Sequence, residues 1–374
     1  MAERVLITGG AGFIGSHLAD ALLERGHAVR VIDNLCAQVH GPHVKEPEFL
    51  SSEAEFIHGD VRDRDAMRRA LEGIDVVFHE AAAVGVGQSM YAVREYADVN
   101  AVGTATLLDI LANEKHSLRK IIVASSMSIY GEGAHRHPDG REIHPPLRGR
   151  AQMESRRWEV LDPDDGAPLE PVPTRETKPL APNSVYAITK RDQEELVLTV
   201  APAYGVDAVA LRQFNAFGPR QALSNPYNGV MAIFSARLLN GRSPIIFEDG
   251  GQMRDFVHVR DVAHANVLAM ERDTGPSSVF NVGSGRFLSI RQVAEHLAGR
   301  LGLAISPEIN GQFRIGDVRC CVADTAAAKT RLGFEAETPW EEGLDDLIAW
   351  VREQTAEDHV EEAVDELRRR GLAT

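Results

Sequence analysis

The apolar positions of the first half fall in short runs separated by stretches of helical period. VLIT (5–8), AVRVID (28–33), AEFIHGD (54–60), IDVVFH (74–79) and KIIVASS (120–126) are rich in Val, Ile and Phe and read as strands. Between them, the segments from Ser16 to Arg25, over 63–72 and near 96–114 repeat apolar residues three or four apart, which buries one face of a helix. Strands alternating with amphipathic helices predict an α/β fold with a parallel, doubly wound sheet and right-handed crossovers.

From about residue 206 the pattern is less regular. AVALRQF, PIIFEDG, DFVHV and VFNVGSG read as strands of a smaller, interleaved C-terminal lobe. The expected division is 1–205 for the first domain, with an insertion at about 132–182, 206–356 for the second lobe, and 357–374 for a terminal helix. The insertion is proline-rich and reads either as a functional lid or as a disordered segment. Its His135, His137 and His144 read as solvated loop histidines, and no metal is expected. In the terminal segment Val360, Ala363, Val364 and Leu367 share a helix face, with acids early and Arg368–Arg370 late, as the helix dipole favours.

Composition narrows the function classes. The 374 residues carry a net charge of −15, which argues against nucleic-acid or anionic-membrane partners. Cys36, Cys320 and Cys321 have neither metal-ligand nor disulfide-framework spacing, and a cytoplasmic location fits them. The chain starts at once on a strand, so neither a leader nor a transmembrane helix is expected.

Candidate chemistry begins at TGGAGFIGSH, where strand 1 meets helix 1. Gly9, Gly12 and Gly15 allow a tight turn and close approach of backbone to a pyrophosphate, although such turns also serve plain packing. Asp33 ends strand 2, where a carboxylate accepts hydrogen bonds from both ribose hydroxyls and repels a 2′-phosphate. That favours NAD over NADP; the alternative is a turn residue. Asp60 and Val61 suit an adenine edge. Ala81, Ala82 and Ala83 are small enough to let a cofactor lie on the strand ends, or are simple packing.

SVYAITKRDQEEL reads as a helix capped by Asn183 or Ser184, with Tyr186 and Lys190 one turn apart on one face. A free phenol is a weak base at neutral pH; a neighbouring ammonium and a positive nicotinamide favour its phenolate. Beside a dinucleotide site such a pair can remove a hydroxyl proton while hydride leaves the same carbon. Elsewhere it is a surface Tyr and a solvated Lys.

TGGAGFIGSH, Asp33-Asn34, GDVRD, HEAA, VNAVGT, SSMSIYG, YAITK, LRQFNAFGPRQ, DGGQMRDFVHVRDVA, FNVGSG and RIGDVR occur in that order. With these motifs the chain resembles the extended short-chain dehydrogenases/reductases, in the NAD-dependent nucleotide-sugar epimerase/dehydratase family, over roughly residues 3–350. The resemblance implies a Rossmann-like fold with a substrate-binding lobe. It implies NAD held by Gly9, Gly12, Phe13, Ile14, Gly15, Asp33, Asn34, Asp60, Val61, Ala81, Ala82, Ala83, Asn100, Ser125, Tyr186, Lys190 and Phe214, with a structural role as the alternative for Asn100. Catalysis would fall to Ser126, Tyr186 and Lys190. A nucleotide-diphosphate sugar would meet Gln88, Ser126, Met127, Asn215, Arg254, Arg314 and Asp317. Helices near 96–114 and 185–201 match those that pair subunits in the family, so a homodimer is expected.

Dehydratases of the family carry an Asp-Glu pair after the catalytic hydroxyl residue. Here Met127 and Ser128 stand there, and neither does acid–base work at neutral pH. What remains is transient oxidation at C4, a 4-epimerization. DNLCAQVHG, AAAVGVGQSMY and RQALSNPYNGVMAIF most resemble the branch that interconverts dTDP-L-rhamnose and dTDP-6-deoxy-L-talose. UDP-galactose or UDP-glucuronate 4-epimerization is the alternative, and a non-catalytic NAD sensor a further one. Gln213 departs from the family, where an aromatic commonly precedes Phe-Asn. Asp162, Pro163, Asp164 and Asp165 stand where some relatives have Cys-x-x-Cys.

Overall fold

The computed structural model describes residues 2–374. Seven strands form the central sheet: β1 (Arg4–Thr8), β2 (Ala28–Asp33), β3 (Glu55–His58), β4 (Val76–His79), β5 (Lys120–Ser126), β6 (Asp207–Gln213) and β7 (Ser277–Val282). Their order is β7-β6-β5-β4-β1-β2-β3, and every pairing is parallel. The order reverses between β1 and β4, which opens a crevice at their carboxyl ends, where such sheets take ligands.

Helices cover both faces. They are α1 (Phe13–Leu23), α2 (Arg64–Leu71), α3 (Gly103–Asn113), α4 (Val185–Ala203), α5 (Val230–Leu239), α6 (Val259–Glu271), α7 (Ile290–Leu301), α8 (Trp340–Val351) and α9 (Val360–Arg369). Strand alternation sorts the core. Ile7, Phe78, Ile122 and Leu211 pack with Leu18 and Leu22 of α1 and Val262 of α6. Leu6, Val77, Ile121 and Ala210 face the other way, onto Met67, Leu107 and Val197. Each of the large aliphatic side chains among these contributes roughly 1.5–3 kcal/mol.

The second lobe has its own core of Phe217, Phe234, Phe256, Leu297, Trp340 and Leu347. Its strands are only two or three residues long. Asn215–Phe217 pairs with Phe256–His258, and Met253–Arg254 lies between Leu288–Ser289 and Cys320–Cys321. The segment after 206 also sends β6 and β7 into the central sheet, so the lobes share strands.

Two expectations change, for a helix and for His135, and the disordered alternative for the insertion falls away. The helix placed near 96–114 is broken: Val93–Tyr96 is one turn, Ala97–Val102 is a π-helix, and α3 follows. The π segment turns Asn100 inward, where it is fully buried and bonded at both ends of its amide. π-bulges often mark such functional positions.

The insertion is folded rather than disordered. His135–Arg136 pairs with Glu142–Ile143 and Glu170–Pro171, and Met153, Val160 and Leu169 are buried. The Arg148 guanidinium forks onto Glu248 at 2.8 and 2.9 Å, tying the insertion to the second lobe.

His135 is not solvated. It is 1% exposed, its Nδ1 is 3.1 Å from Gly133 O, and burial pushes its pKa down to about 4. His137 meets Asp165 at 3.1 Å, and ligand-type atoms of His137, Asp162 and Asp165 converge within 4.8 Å. The Asp139 carboxylate beside His137, helped by Asp165, raises its pKa.

The terminal helix is α9, with Val360, Ala363, Val364 and Leu367 buried as the pattern predicts. Among the described residues no helix is long and apolar enough to cross a membrane.

Candidate active site

A cavity of about 610 Å³ opens at the carboxyl ends of β1, β2, β4 and β5. At its floor Gly9 has φ +68°, and a Cβ there would lie 2.8 Å from Ala81 Cα. A Cβ on Gly15 would lie 2.5 Å from Gly10 Cα. Side chains at these positions would collide with the turn, so the backbone itself forms the floor. Gly12 caps α1 without any side-chain hydrogen bond, which leaves the helix N-terminus open to an anion.

Asp33 closes β2. Its Oδ2 accepts from Ala11 N and its Oδ1 from Leu35 N, which fixes the carboxylate over the turn. Asn34 donates to Asp60, and Arg62 forks onto the same carboxylate at 2.8 and 2.7 Å. The Arg62 bonds hold Asp60 down at about 2 against some burial. The Arg62 guanidinium is thereby engaged. Ala81 N donates to Thr8 Oγ1, and Ala83 N to Asn100 Oδ1. Asn100 also reaches Thr189 of α4, so it braces the cavity wall and does not line it.

On the opposite wall, α4 starts at Ser184, whose side chain caps Ala187 N; of the two expected caps, Ser184 is the one used. This start presents Tyr186 and Lys190 to the cavity. Burial raises the Tyr186 phenol pKa, and the Ser126 hydroxyl opposite lowers it. Tyr96 meets the Tyr186 ring edge-on, at 6.4 Å between centroids. Burial lowers the Lys190 ammonium pKa, and Glu80 and Glu194 raise it. Lys190 Nζ donates to Gln193 Oε1 at 2.7 Å.

The three serines of SSMSIYG separate. Ser125 donates to Glu194 Oε2 at 2.5 Å, although the residue lines the cavity. Ser126 Oγ accepts from Ser128 N and Ser128 Oγ, so Ser128 orients it. Phe13, Ile14, Val61, Ala82, Gln88, Phe214 and Asn215 also line the cavity.

Met127, Arg254, Arg314 and Asp317 do not line it. Arg254 and Arg314 converge on Asp317 at 3.2 and 3.0 Å. Burial raises the Asp317 carboxyl, but the two guanidiniums outweigh it and hold the pKa below the usual range.

Sequence reading missed several groups. Glu80 sits in HEAA beside the alanines and lines the cavity, with Oε1 buried and Oε2 accepting from Gln213 Nε2, and nothing in that motif marks it. Arg148 reaches Asp317 O at 3.1 Å from the insertion. Gln38 and Asn225 also line the cavity, Gln38 donating to Gln88 and Asn225, and Tyr91 donates to Tyr227, close to Asn225 in the chain. Only the polar residues crowded into DNLCAQVHG and SNPYNG could have hinted at them.

A bare helix N-terminus over a glycine floor, an acid at the end of β2 and a Tyr-x-x-x-Lys helix at the switch point define a Rossmann-type dinucleotide-binding protein. The site's residues fit NAD: bare backbone at Gly9 and Gly15 would let a pyrophosphate approach, and Asp33 at the end of β2 would meet a ribose. Residues 5–151 and 164–283 match the model of the NAD dependent epimerase/dehydratase family, and the chain belongs to that family. NAD is its cofactor.

The chain is 36% identical over 355 residues to the dTDP-L-rhamnose 4-epimerase of Burkholderia thailandensis, covering 94% of this chain and 96% of that one. It is similar in structure to the UDP-glucose 4-epimerase of Thermotoga maritima with UDP-glucose, at TM-score 0.75 and 33% identity over 93% and 98% of the two chains. The UDP-glucose 4-epimerase of Thermus thermophilus in complex with NAD matches at TM-score 0.73 and 29% identity, over 94% and 100%.

Proposed function

We propose that the chain is an NAD-dependent nucleotide-sugar 4-epimerase that interconverts dTDP-L-rhamnose and dTDP-6-deoxy-L-talose. The observation that carries the chemistry is the cavity wall itself: Tyr186 and Lys190 face Ser126, and the two residues after Ser126 are Met127 and Ser128. The sugar pair rests on the Burkholderia relative and on the stretches DNLCAQVHG and AAAVGVGQSMY. The Thermotoga enzyme supports a UDP-hexose as the second reading.

NAD, when bound, supplies the hydride acceptor and donor at C4. Tyr186 takes the proton of the 4-hydroxyl as its C–H bond breaks, and returns it after the 4-keto sugar has presented its other face. Lys190 stabilises the phenolate by its charge, and Ser126 holds the reacting oxygen in line with Tyr186. With no acid pair beside Ser126, no group stands ready to expel water. Arg254 and Arg314, which converge on Asp317 outside the cavity lining, would bring positive charge to a diphosphate. In this reading residues 1–205 hold the cofactor, and most of 206–356 holds the nucleotide.

Incubated with dTDP-L-rhamnose, the purified protein is expected to generate 6-deoxy-L-talose signals by NMR. An unchanged spectrum, with UDP-glucose converted instead, transfers the assignment to the UDP-hexose reading.

The assembly proposed is a homodimer. Val84, Val86, Met90, Val93, Val102 and Ile188 are large, exposed and apolar, and they lie on or near the elements around Ala97–Val102 and α4. In light scattering the protein is expected at twice the chain mass, and Val102→Arg with Ile188→Arg at the single-chain mass. A wild-type monomer would reject the dimer.

A further inference from the structure

Two tight turns of the insertion meet away from the cavity. The first closes the hairpin between His135–Arg136 and Glu142–Ile143: His137 N donates to Arg141 O, and Gly140 N to His137 O. The second closes where Leu161 bridges Pro168: Asp162 N donates to Ala167 O, and Gly166 N to Asp162 O. Together they bring one ligand-type atom each of His137, Asp162 and Asp165 within 4.8 Å of one another. None of the three residues lines the cavity that holds Tyr186.

Each side chain is fixed by one polar atom and has another to give. Asp162 Oδ1 accepts from Asp164 N at 2.8 Å, and Asp165 Oδ1 from Ala167 N at 2.9 Å. Asp165 Oδ2 lies 3.1 Å from His137 Nε2. His137 Nδ1 lies 2.9 Å from Asp139 Oδ1, and Arg141 holds the other Asp139 oxygen at 2.6 Å. A carboxylate that takes the Nδ1 proton leaves the Nε2 lone pair free, the usual setting of a metal-bound histidine.

Asp162 supplies the separate sign of a ligand. It is 3% exposed, and its Oδ2 is buried without a hydrogen-bond partner. Among the described residues it has no ion pair with lysine or arginine, and its one hydrogen bond is the backbone contact on Oδ1. A buried carboxylate with an idle oxygen and no counter-charge forfeits its hydration for nothing, and a cation would repay that loss. The rival arrangement has no ion. In it Nδ1 accepts from Asp139 N, 3.2 Å away, and Nε2–H donates to Asp165. That arrangement leaves Asp162 Oδ2 unexplained.

We propose that His137, Asp162 and Asp165 form a zinc-class divalent-cation site that staples the two turns of the insertion together. One imidazole nitrogen and two carboxylate oxygens suit Zn²⁺, with water as the fourth ligand. Ca²⁺ takes six to eight oxygens, and Mg²⁺ keeps most of its waters, so neither matches this donor set. Two carboxylates and a neutral imidazole also balance the charge of a dication. Tetrahedral bonds of about 2.0–2.2 Å put neighbouring ligand atoms roughly 3.4 Å apart, so the widest gap closes by about 1.4 Å at most. The role is structural: the stapled insertion carries Arg148, which reaches Glu248 of the second lobe. The three ligands come from separate turns and none is a cysteine, so their spacing along the chain does not announce a metal.

The test uses the full-length, NAD-loaded protein, stripped with EDTA and titrated calorimetrically with ZnCl₂. One Zn²⁺ per chain is expected, with a rise in the thermal midpoint. Co²⁺ in its place should give the visible absorption of a tetrahedral centre. Asp139→Ala, which removes the group behind the histidine, is expected to weaken Zn²⁺ by roughly 10–100-fold. His137→Gln and Asp162→Asn each remove a ligand and should weaken it further. Asp162→Asn keeps the side-chain shape; if it fails to fold, Asp165→Asn at an exposed position replaces it in the comparison. Three results would each overturn the site: no Zn²⁺ bound, Zn²⁺ bound equally well by the ligand variants, or Mg²⁺ or Ca²⁺ bound as tightly as Zn²⁺. The titration needs no sugar, so it stands or falls apart from the proposed epimerization.

Discussion

Tyr186→Phe is expected to lower turnover by about 10²–10⁴-fold, the contribution typical of a positioned general base. The phenol ring packs edge-on to Tyr96, and phenylalanine preserves that contact. The hydroxyl is what changes, and its facing group is Ser126. NAD content and thermal midpoint are therefore expected to stay close to wild type while the rate collapses. The pH dependence has a defined sign. The base is the phenolate, so the wild-type rate rises as pH rises through the Tyr186 pKa. Burial pushes that pKa up, and the Ser126 hydroxyl brings it back. The residual rate of Tyr186→Phe should lack this rising limb. A variant with near-wild-type turnover would remove Tyr186 from the mechanism.

The largest expected loss of stability comes from Arg212, not from a catalytic residue. Its guanidinium bonds Glu194 twice and the Tyr130 hydroxyl at 2.9 Å in the interior, and the half-buried Glu176 carbonyl at 2.9 Å. Tyr130 passes the network on to Asn281 at 2.7 Å. Arg212→Met would leave the Glu194 carboxylate buried with only the Ser125 hydroxyl. Breaking one side of a buried ion pair costs about 3–5 kcal/mol. Urea unfolding should register a loss of that size. Adding Glu194→Leu should restore part of it, since the orphaned charge rather than the missing attraction carries most of the cost. A double variant as unstable as the sum of the singles would show the two side chains to act independently. Because Ser125 joins this network and Ser126 follows it, the ion pair also fixes the strand end from which the reacting hydroxyl projects.

The first half of the fold was legible because its signals are local. VLIT and KIIVASS alternate with helices whose apolar faces repeat at fixed spacing, and β1, β2 and β5 form where the runs stand. The glycine turn and the Tyr186–Lys190 spacing are local too. The second lobe was legible only in outline. Met253–Arg254 is a strand because Leu288–Ser289 and Cys320–Cys321 come to it from far along the chain, and two residues carry no periodicity. The insertion was left open between two readings for a related reason. Its prolines and charges suggested disorder or a lid, but Arg148 finds Glu248 and the short strand at His135 finds two partners. Glu80 was invisible in HEAA because its partner, Gln213, lies far along the chain and only the fold brings it near. Ser125 lines the cavity and spends its hydroxyl on Glu194, a partner that only the fold brings near. Asn100 braces the wall from a π-helix that no simple period announces.

The three thiols differ sharply in reach. Cys320 and Cys321 are buried in the second lobe, and burial raises both thiols, Cys321 to about 12. Cys36 is exposed and lines the cavity, three residues beyond Asp33. A maleimide dye therefore has one accessible attachment point, and it stands at the rim where the adenosine half of a dinucleotide would lie. The native chain thus carries its own place for a fluorescent reporter of cofactor exchange, without an engineered cysteine.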